Sequence, residues 1–288
     1  MKIWLNGNIV DEYEARVSVF DRSYLHGEGA FETLRCYNGA PAFLKQHLQR
    51  LLKTANILGL PFHLNESDLK KAIQELLSAN EMKNAIVRFT LSGVGTEFGV
   101  GRPEKMPTNL SIYAVTINID PKLYQTGVKV VLIENFINDH LQIAGIKSTS
   151  YLTKMIARAK ASKTHAYEAL LKNREGYWVE GSRTSFFLVK NGTLFTAPLS
   201  DGILPGITRQ NVLDIAVAEK ILFHETHITT EDLQTADEIF LCGSGTEIMP
   251  VSEVIDLCTK QMEPNSLTQK IHMHYNRLKL HPLHMHLT

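Results

Sequence analysis

Residues 180–209 read EGSRTSFFLVKNGTLFTAPLSDGILPGITR, and the reading of this stretch decides the fold. Glu180 precedes a short polar turn. Phe186–Val189 is an aromatic and aliphatic run, Asn191-Gly192 is a hairpin signal, and Leu194-Phe195-Thr196 returns as a second strand. Leu204-Pro205-Gly206-Ile207-Thr208-Arg209 then opens an amphipathic helix. The free N–H groups of a helix start, with a glycine allowing close approach, make an anion site, to which Thr208 can add a hydroxyl. An ordinary loop-to-helix junction capped by Thr208 reads at least as well from this segment alone. A carboxylate ahead of a strand, as at Glu180, can hold a protonated ring nitrogen; a plain turn glutamate is the alternative.

Outward from this stretch, Glu238–Cys242 is a strand ending in the small-residue loop Cys242-Gly243-Ser244-Gly245-Thr246-Glu247. Such a loop can cradle a phosphate, although it matches neither the Walker nor the dinucleotide pattern, and a tight turn fits it equally. Upstream, Val128–Ile133 is a buried strand and Glu168–Leu171 another. A helix is predicted from Tyr151 to about His165, with Leu152, Met155, Ile156 and Ala159 inward. Lys147, in Ala144-Gly145-Ile146-Lys147-Ser148-Thr149-Ser150-Tyr151, sits between an apolar stretch and that helix. A partly desolvated amine loses its proton easily and can form a Schiff base; a solvated surface lysine is the plain alternative.

The first part of the chain reads as hairpin, strand, two helices and two strands. Asn6-Gly7 joins Ile3–Leu5 to Ile9-Val10, and Asn38-Gly39 turns the strand Glu28–Tyr37 toward Ala42-Phe43. Leu44, Leu48, Leu51, Leu52, Ala55 and Leu58 share one helical face, and Gly59 stops that helix. A second helix starts near Asn65, and strands follow at Ala85–Leu91 and Leu110–Ile117. Residues 118–127, polar and containing Pro and Gly, read as the boundary. The expected organisation is an α+β domain over 1–117, a linker over 118–127 and a second domain over 128–288.

Composition narrows the class. The chain has 288 residues, so it can bury a sizeable core without a metal or disulfide staple. Lys+Arg and Asp+Glu are 30 each, which argues against a nucleic-acid footprint. No apolar run is long enough to span a membrane. The widely spaced cysteines Cys36, Cys242 and Cys258 fit free thiols in a reducing cytoplasm rather than a zinc site. His272, His274, His281, His284 and His286 fit no common metal-ligand spacing, so no metal is expected, and the C-terminus reads as a solvated helix and tail.

Taken in order, four segments resemble the class IV aminotransferases, the fold-type IV pyridoxal-phosphate (PLP) enzymes, over nearly the whole chain. They are Gly27-Glu28-Gly29-Ala30-Phe31-Glu32-Thr33-Leu34-Arg35; Phe43…His47-Leu48…Arg50-Leu51; Gly145-Ile146-Lys147 with Tyr151-Leu152; and Glu180…Phe186-Phe187…Gly206-Ile207-Thr208-Arg209. Ser185 stands where the family usually has Asn. The resemblance implies a smaller N-terminal α/β sandwich and a larger C-terminal β-barrel-like domain with flanking helices. It further implies pyridoxal 5'-phosphate as cofactor, a small amino-acid-like substrate and a homodimer. Carried over by position, Lys147 would join the cofactor covalently and shuttle the proton at Cα. Glu180 would pair with the ring nitrogen, keeping it protonated so that the ring accepts electrons. Arg50, the N–H groups of Ile207 and Thr208, and Ser244 with the Gly243 backbone would hold the phosphate.

The resemblance leaves the reaction among three members of the family. Branched-chain enzymes usually have Gly in place of Thr33, and one more residue between the lysine and Tyr-Leu; Arg88, however, falls where they carry a substrate-side arginine. The Arg-Gly pair of D-amino-acid enzymes is Ser92-Gly93 here. Phe31-Glu32-Thr33-Leu34-Arg35 and Ala144-Gly145-Ile146-Lys147 are most similar to the aminodeoxychorismate lyases. The expectation therefore leads, narrowly, with 4-amino-4-deoxychorismate lyase, which releases pyruvate and 4-aminobenzoate. An amino-acid aminotransferase is the alternative, and a non-catalytic relative the second alternative. Arg35 and Arg88 are candidate contacts for a substrate carboxylate. His26, Phe31, Thr33 and Tyr151 are further candidates on the substrate side, and Gly93–Gly101 is a candidate lid.

Overall fold

The structure is a computed structural model describing residues 1–95, 101, 106–134, 145–261 and 263–280. The candidate lid lies largely outside the described residues, and His281, His284 and His286 lie entirely outside them. Two compact units form: Met1–Asn118 with Ile146–Tyr151, and Ile119–Gly145 with Leu152–Thr288.

The first unit contains β1 (Lys2–Leu5), β2 (Asn8–Asp11), α1 (Arg22–His26), β3 (Gly29–Tyr37), β4 (Ala40–Pro41), α2 (Leu44–Leu58), α3 (Glu66–Ala79), β5 (Ala85–Gly93) and β6 (Thr108–Val115). Its antiparallel sheet has the order β2-β1-β6-β5-β3-β4. Both Asn-Gly pairs form hairpin turns because both of their residues reach positive φ: Asn6 +49° and Gly7 +96°, Asn38 +50° and Gly39 +79°. Leu44, Leu48, Leu51 and Ala55 of α2 and Leu69, Ile73, Leu76 and Leu77 of α3 bury one face each against Leu34, Val87, Phe89, Leu91 and Ile112. Strand alternation leaves Phe31, Thr33, Arg35 and Arg88 on the face away from this core. The Asn65 side chain accepts the Asp68 N–H at 3.0 Å and starts α3.

Residues 146–151 group with this unit because backbone hydrogen bonds tie them to β3. Phe31 N–H donates to the Lys147 carbonyl at 3.0 Å, and Thr149 N–H donates to the Gly29 carbonyl at 2.8 Å. Gly29 is required there, since a Cβ would collide with the Ser23 and Thr149 hydroxyls.

The second unit contains α4 (Leu123–Thr126), β7 (Val128–Ile133), α5 (Leu152–Lys163), β8 (Glu168–Lys172), β9 (Trp178–Gly181), β10 (Ser185–Lys190), β11 (Thr193–Thr196), α6 (Ile207–Ala218), β12 (Phe223–Glu225), α7 (Thr230–Thr235), β13 (Glu238–Gly243), β14 (Glu247–Val254), β15 (Cys258–Thr259) and α8 (Leu267–Leu280). Its large sheet has the order β12-β11-β10-β13-β14-β7-β8-β9, with β15 on β14. Strand β10 is buried on both faces. Phe186 and Leu188 enter the main core with Trp178, Leu241 and Met249, while Phe187 stacks on Phe240 with ring centroids 5.2 Å apart. Each such phenylalanine contributes roughly 1.5–3 kcal/mol. Asn191-Gly192 again makes the hairpin turn, at φ +50° and +74°.

Two elements were not expected, and one expectation is corrected. Within the boundary stretch, residues 123–126 form α4. The loop after β13 is a short turn into the buried strand β14, whose Pro250, opposite Phe240, hid it from strand patterning. The predicted inward face of α5 is outward: Leu152, Met155 and Ile156 are 72%, 56% and 44% exposed, and Ala159 is exposed too. The helix docks through Ala157 and Ala161 instead, packed with Ile133, Ala169 and Leu171. The small alanines let the helix approach the sheet closely, and Lys154 and Arg158 share their face at i, i+3, i+4, i+7 spacing.

Candidate active site

In the first unit, β3 and α2 build a buried charge cluster. Glu32 points toward α2, where Arg50 grips it bidentately, Nε to Oε1 at 2.7 Å and Nη2 to Oε2 at 2.8 Å. His47 Nδ1 reaches Glu32 Oε2 at 2.7 Å. Burial alone would raise the Glu32 carboxyl, but Arg50 and His47 outweigh it and hold it at about 2. Burial pushes the His47 imidazole down against the pull of Glu32, with Arg50 and Lys147 adding to the downward shift. Burial thus favours the neutral form of His47, whose Nδ1 meets the Glu32 carboxylate.

On the opposite face of β3, Phe31 is the centre of a second cluster. Lys147 Nζ lies 4.7 Å from its ring centroid and the Arg88 guanidinium 3.7 Å away. Tyr151 meets the same ring edge-on at 5.5 Å. The Lys147 backbone is held by its N–H donating to Thr54 Oγ1 of α2 at 3.2 Å. Burial pulls the Arg88 guanidinium down, opposed by Tyr113 and Tyr151. Arg88 Nε donates to Thr90 Oγ1 at 3.4 Å, and the guanidinium has no carboxylate partner among the described residues. Thr33 sits opposite Arg88 in the β3–β5 register, and Arg35 is buried further along the same strand. His26 ends α1 exposed, without a contact to the Phe31 cluster among the described residues.

In the second unit, Glu180 is buried at the end of β9, opposite Leu171 of β8. Its Oε1 accepts from Lys154 Nζ at 2.8 Å, and its Oε2 accepts from the Leu204 N–H at 3.2 Å. The turn that follows is shaped by a second buried acid. Glu168 accepts from Ser182 N–H at 3.1 Å, from Thr184 Oγ1 at 3.0 Å, and from the Ser182 hydroxyl. Gly181 packs against Thr184 and Glu168 with no room for a Cβ. Sequence reasoning missed Lys154 and Glu168. The i, i+3, i+4, i+7 set Lys154, Ala157, Arg158, Ala161 was a readable signal for the first. An acid opening the otherwise apolar strand β8 was one for the second.

The start of α6 and the β13–β14 turn meet at Ser185. Ser185 pairs with Cys242 in register, and a Cβ on Gly206 would lie 3.0 Å from its hydroxyl. Gly243 ends β13, and Ser244 and Gly245 follow in the turn, which Tyr124 braces by donating to the Thr246 carbonyl at 3.2 Å. Gly206 supplies no side-chain cap to α6. The Thr208 Oγ1 is buried without a hydrogen-bond partner. A buried orphaned hydroxyl costs about 1–3 kcal/mol, and beside the unsatisfied N–H groups of a helix start it fits the oxygens of an anion. The residues present thus fit a phosphate-bearing group.

His272 and His274 on α8 face Glu247 at 4.0 Å and Glu219 at 3.2 Å. Among the described residues, no helix is long and apolar enough to cross a membrane.

Comparison with known proteins gives the family. The family model "Amino-transferase class IV" matches residues 29–254. A "Putative branched-chain-amino-acid aminotransferase" of Methanocaldococcus jannaschii is 35% identical over 274 residues, 94% of each chain. A D-alanine aminotransferase of Bacillus licheniformis is 27% identical over 275 residues, again 94% of each. Among solved structures, the Thermoproteus uzoniensis branched-chain aminotransferase with norvaline aligns at TM-score 0.88 and 35% identity, covering 97% of this chain and 95% of that one. The T.th. branched-chain aminotransferase with pyridoxamine 5'-phosphate aligns at 0.87 and 25%, covering 96% and 93%. A "Putative 4-amino-4-deoxychorismate lyase" from Legionella pneumophila aligns at 0.84 and 26%, covering 93% and 97%. Class IV aminotransferases use PLP, and the α+β fold seen here is theirs. The chain belongs to the class IV aminotransferases, a PLP-dependent enzyme family.

Proposed function

We propose that the protein is an amino-acid aminotransferase that passes an amino group between an amino acid, a branched-chain one first among donors, and a 2-oxo acid. The observation that carries this reading is Arg88, a half-buried guanidinium with no carboxylate partner among the described residues, on the same Phe31 ring as Lys147. A cation so placed suits the carboxylate of an amino-acid or 2-oxo-acid substrate beside the amine that reacts. The 35% identity to relatives named as branched-chain aminotransferases supports the choice of donor.

Bound PLP supplies an electron sink for the pair released at the substrate Cα. The chain's own residues then have distinct tasks. Lys147 holds the cofactor through its amine and moves the proton at Cα. Glu180 would face the ring nitrogen and favour a proton there. The N–H groups of Ile207 and Thr208, the orphaned Thr208 hydroxyl, Arg50, and Ser244 with the Gly243 backbone hold the phosphate. Arg35, Thr33, Tyr151 and, last, His26 complete the substrate-side assignment. We further propose a homodimer, as the family resemblance implies, and a reducing cytoplasm, which suits the widely spaced cysteines Cys36, Cys242 and Cys258.

A second reading, 4-amino-4-deoxychorismate lyase, draws on the Legionella neighbour and on the segment Phe31–Arg35. One experiment separates the two. The protein loaded with PLP is reduced with borohydride and the labelled peptide is sequenced; the label belongs on Lys147. The holoenzyme is then given branched-chain amino acids with 2-oxoglutarate, and separately aminodeoxychorismate. Glutamate formation supports the aminotransferase. Pyruvate and 4-aminobenzoate without glutamate establish the lyase instead. Label on Lys147 with neither product leaves the non-catalytic relative and rejects both.

A further inference from the structure

Lys154 is the one inward-facing ammonium of α5 that ends on the proposed ring-nitrogen acid. Its Nζ lies 2.8 Å from Glu180 Oε1, and the two side chains are only 15% and 3% exposed. The other Glu180 oxygen is held by the Leu204 N–H, so both oxygens are already engaged by donors of this chain. The neighbouring acid Glu168 is engaged by the turn that follows β9. It accepts from the N–H groups of Ala169, Ser182 and Arg183 and from the Ser182 and Thr184 hydroxyls, and its ion pair is with Arg183 at 3.8 Å. Arg158, the other cation on the inward face of α5, instead donates to the Tyr167 carbonyl. The helix docks through Ala157 and Ala161, so packing does not require a lysine at position 154. A buried ion pair is seldom the most stabilising choice at such a position, which directs attention to what its charge does.

We infer that Lys154 is a positioning residue that shares the charge of Glu180 and thereby weakens the hold of Glu180 on a proton at the cofactor ring nitrogen. The inference deepens the proposed function and rests on its placement of Glu180. The physics is that of three charges in a row. A carboxylate alone would stabilise a protonated ring nitrogen fully. With an ammonium 2.8 Å from one of its oxygens, it stabilises a second cation less, because the two cations repel across it. Lys154 therefore sets the ring short of complete protonation and moderates its pull on electrons.

The test uses the full-length holoenzyme loaded with PLP carrying 15N in its ring, whose resonance reports protonation directly. In the wild type near neutral pH the signal is expected between the positions of neutral and fully protonated pyridine. In Lys154→Gln and Lys154→Met it moves toward the protonated position, and in Lys154→Arg, which keeps the charge, it stays at the wild-type position. A purely structural lysine would not move the resonance in that direction. A wild-type signal already at the fully protonated position overturns the inference, and this measurement needs no variant to fold. So does an unmoved or oppositely moved signal in Lys154→Gln and Lys154→Met. Glu180→Gln is the control: its signal moves toward the neutral position if Glu180 faces the ring. An unmoved control overturns the placement of Glu180 and this inference with it. A moved control with unmoved Lys154 variants overturns this inference alone.

Discussion

Glu32 is buried and charged at once, and its neighbours explain why. Its carboxyl is held at about 2, below the ordinary 4.5, by Arg50 and His47 against the cost of burial. A depressed carboxyl contributes stability above its unfolded value, and that stability is lost as pH falls from about 4.5 toward 2. The His47 imidazole is shifted down from 6.5, so it must charge on unfolding, and its share is lost as pH drops below that value. Both act in one direction. Urea unfolding should therefore show stability falling steadily from pH 7 to 3. In Glu32→Gln the slope below pH 4.5 should be shallower than in the wild type, with a loss of about 3 kcal/mol at pH 7. The cysteines allow a second check. Burial pushes the Cys36 and Cys242 thiols up to about 12, whereas Cys258 is partly exposed. Iodoacetamide should label Cys258 first in the native protein, and the other two only after unfolding, as peptide mass mapping would show.

At the scale of the element, α5 and α6 carry the sharpest expectations. Helix α5 docks through Ala157 and Ala161, so Ala157→Leu should overpack the contact and cost about 1–3 kcal/mol in chemical denaturation. Helix α6 begins with a buried hydroxyl that has no partner among the described residues. Thr208→Val keeps the shape and removes the hydroxyl. The cofactor-free variant should be no less stable than wild type, while its PLP dissociation constant rises about tenfold, the worth of one lost hydrogen bond to a charged group. Titration by fluorescence checks the second statement and thermal melting the first.

For the whole molecule, binding and stability are linked. PLP at one hundred times its dissociation constant should stabilise the folded chain by about 2.7 kcal/mol, read as a rise in Tm. At one fixed PLP concentration, the rise should be smaller for Thr208→Val. The chain enters and leaves the first unit twice, because residues 146–151 hydrogen-bond to β3. Thr54→Val removes the acceptor of the Lys147 N–H, and it should loosen this segment without disturbing the distant β10–β13 ladder. Amide hydrogen exchange distinguishes the two regions.

The sequence alone determined what depends on neighbours along the chain. The Asn-Gly turns at 6–7, 38–39 and 191–192 follow from residues that tolerate positive φ. The buried faces of α2 and α3 follow from apolar spacing, and the segments around Lys147, Glu180 and Arg50 carried a family resemblance. The tertiary structure alone decided which face of α5 is buried, because its inward set is two alanines and two cations whose partners lie on β8, on β9 and at Tyr167 just before β8. It alone joined Lys147 to Phe31, more than a hundred residues earlier, and Lys154 to Glu180. Periodicity records how much apolar surface an element offers. Which charged or small groups meet across space depends on how strands pair and helices dock, and that is a property of the packed chain.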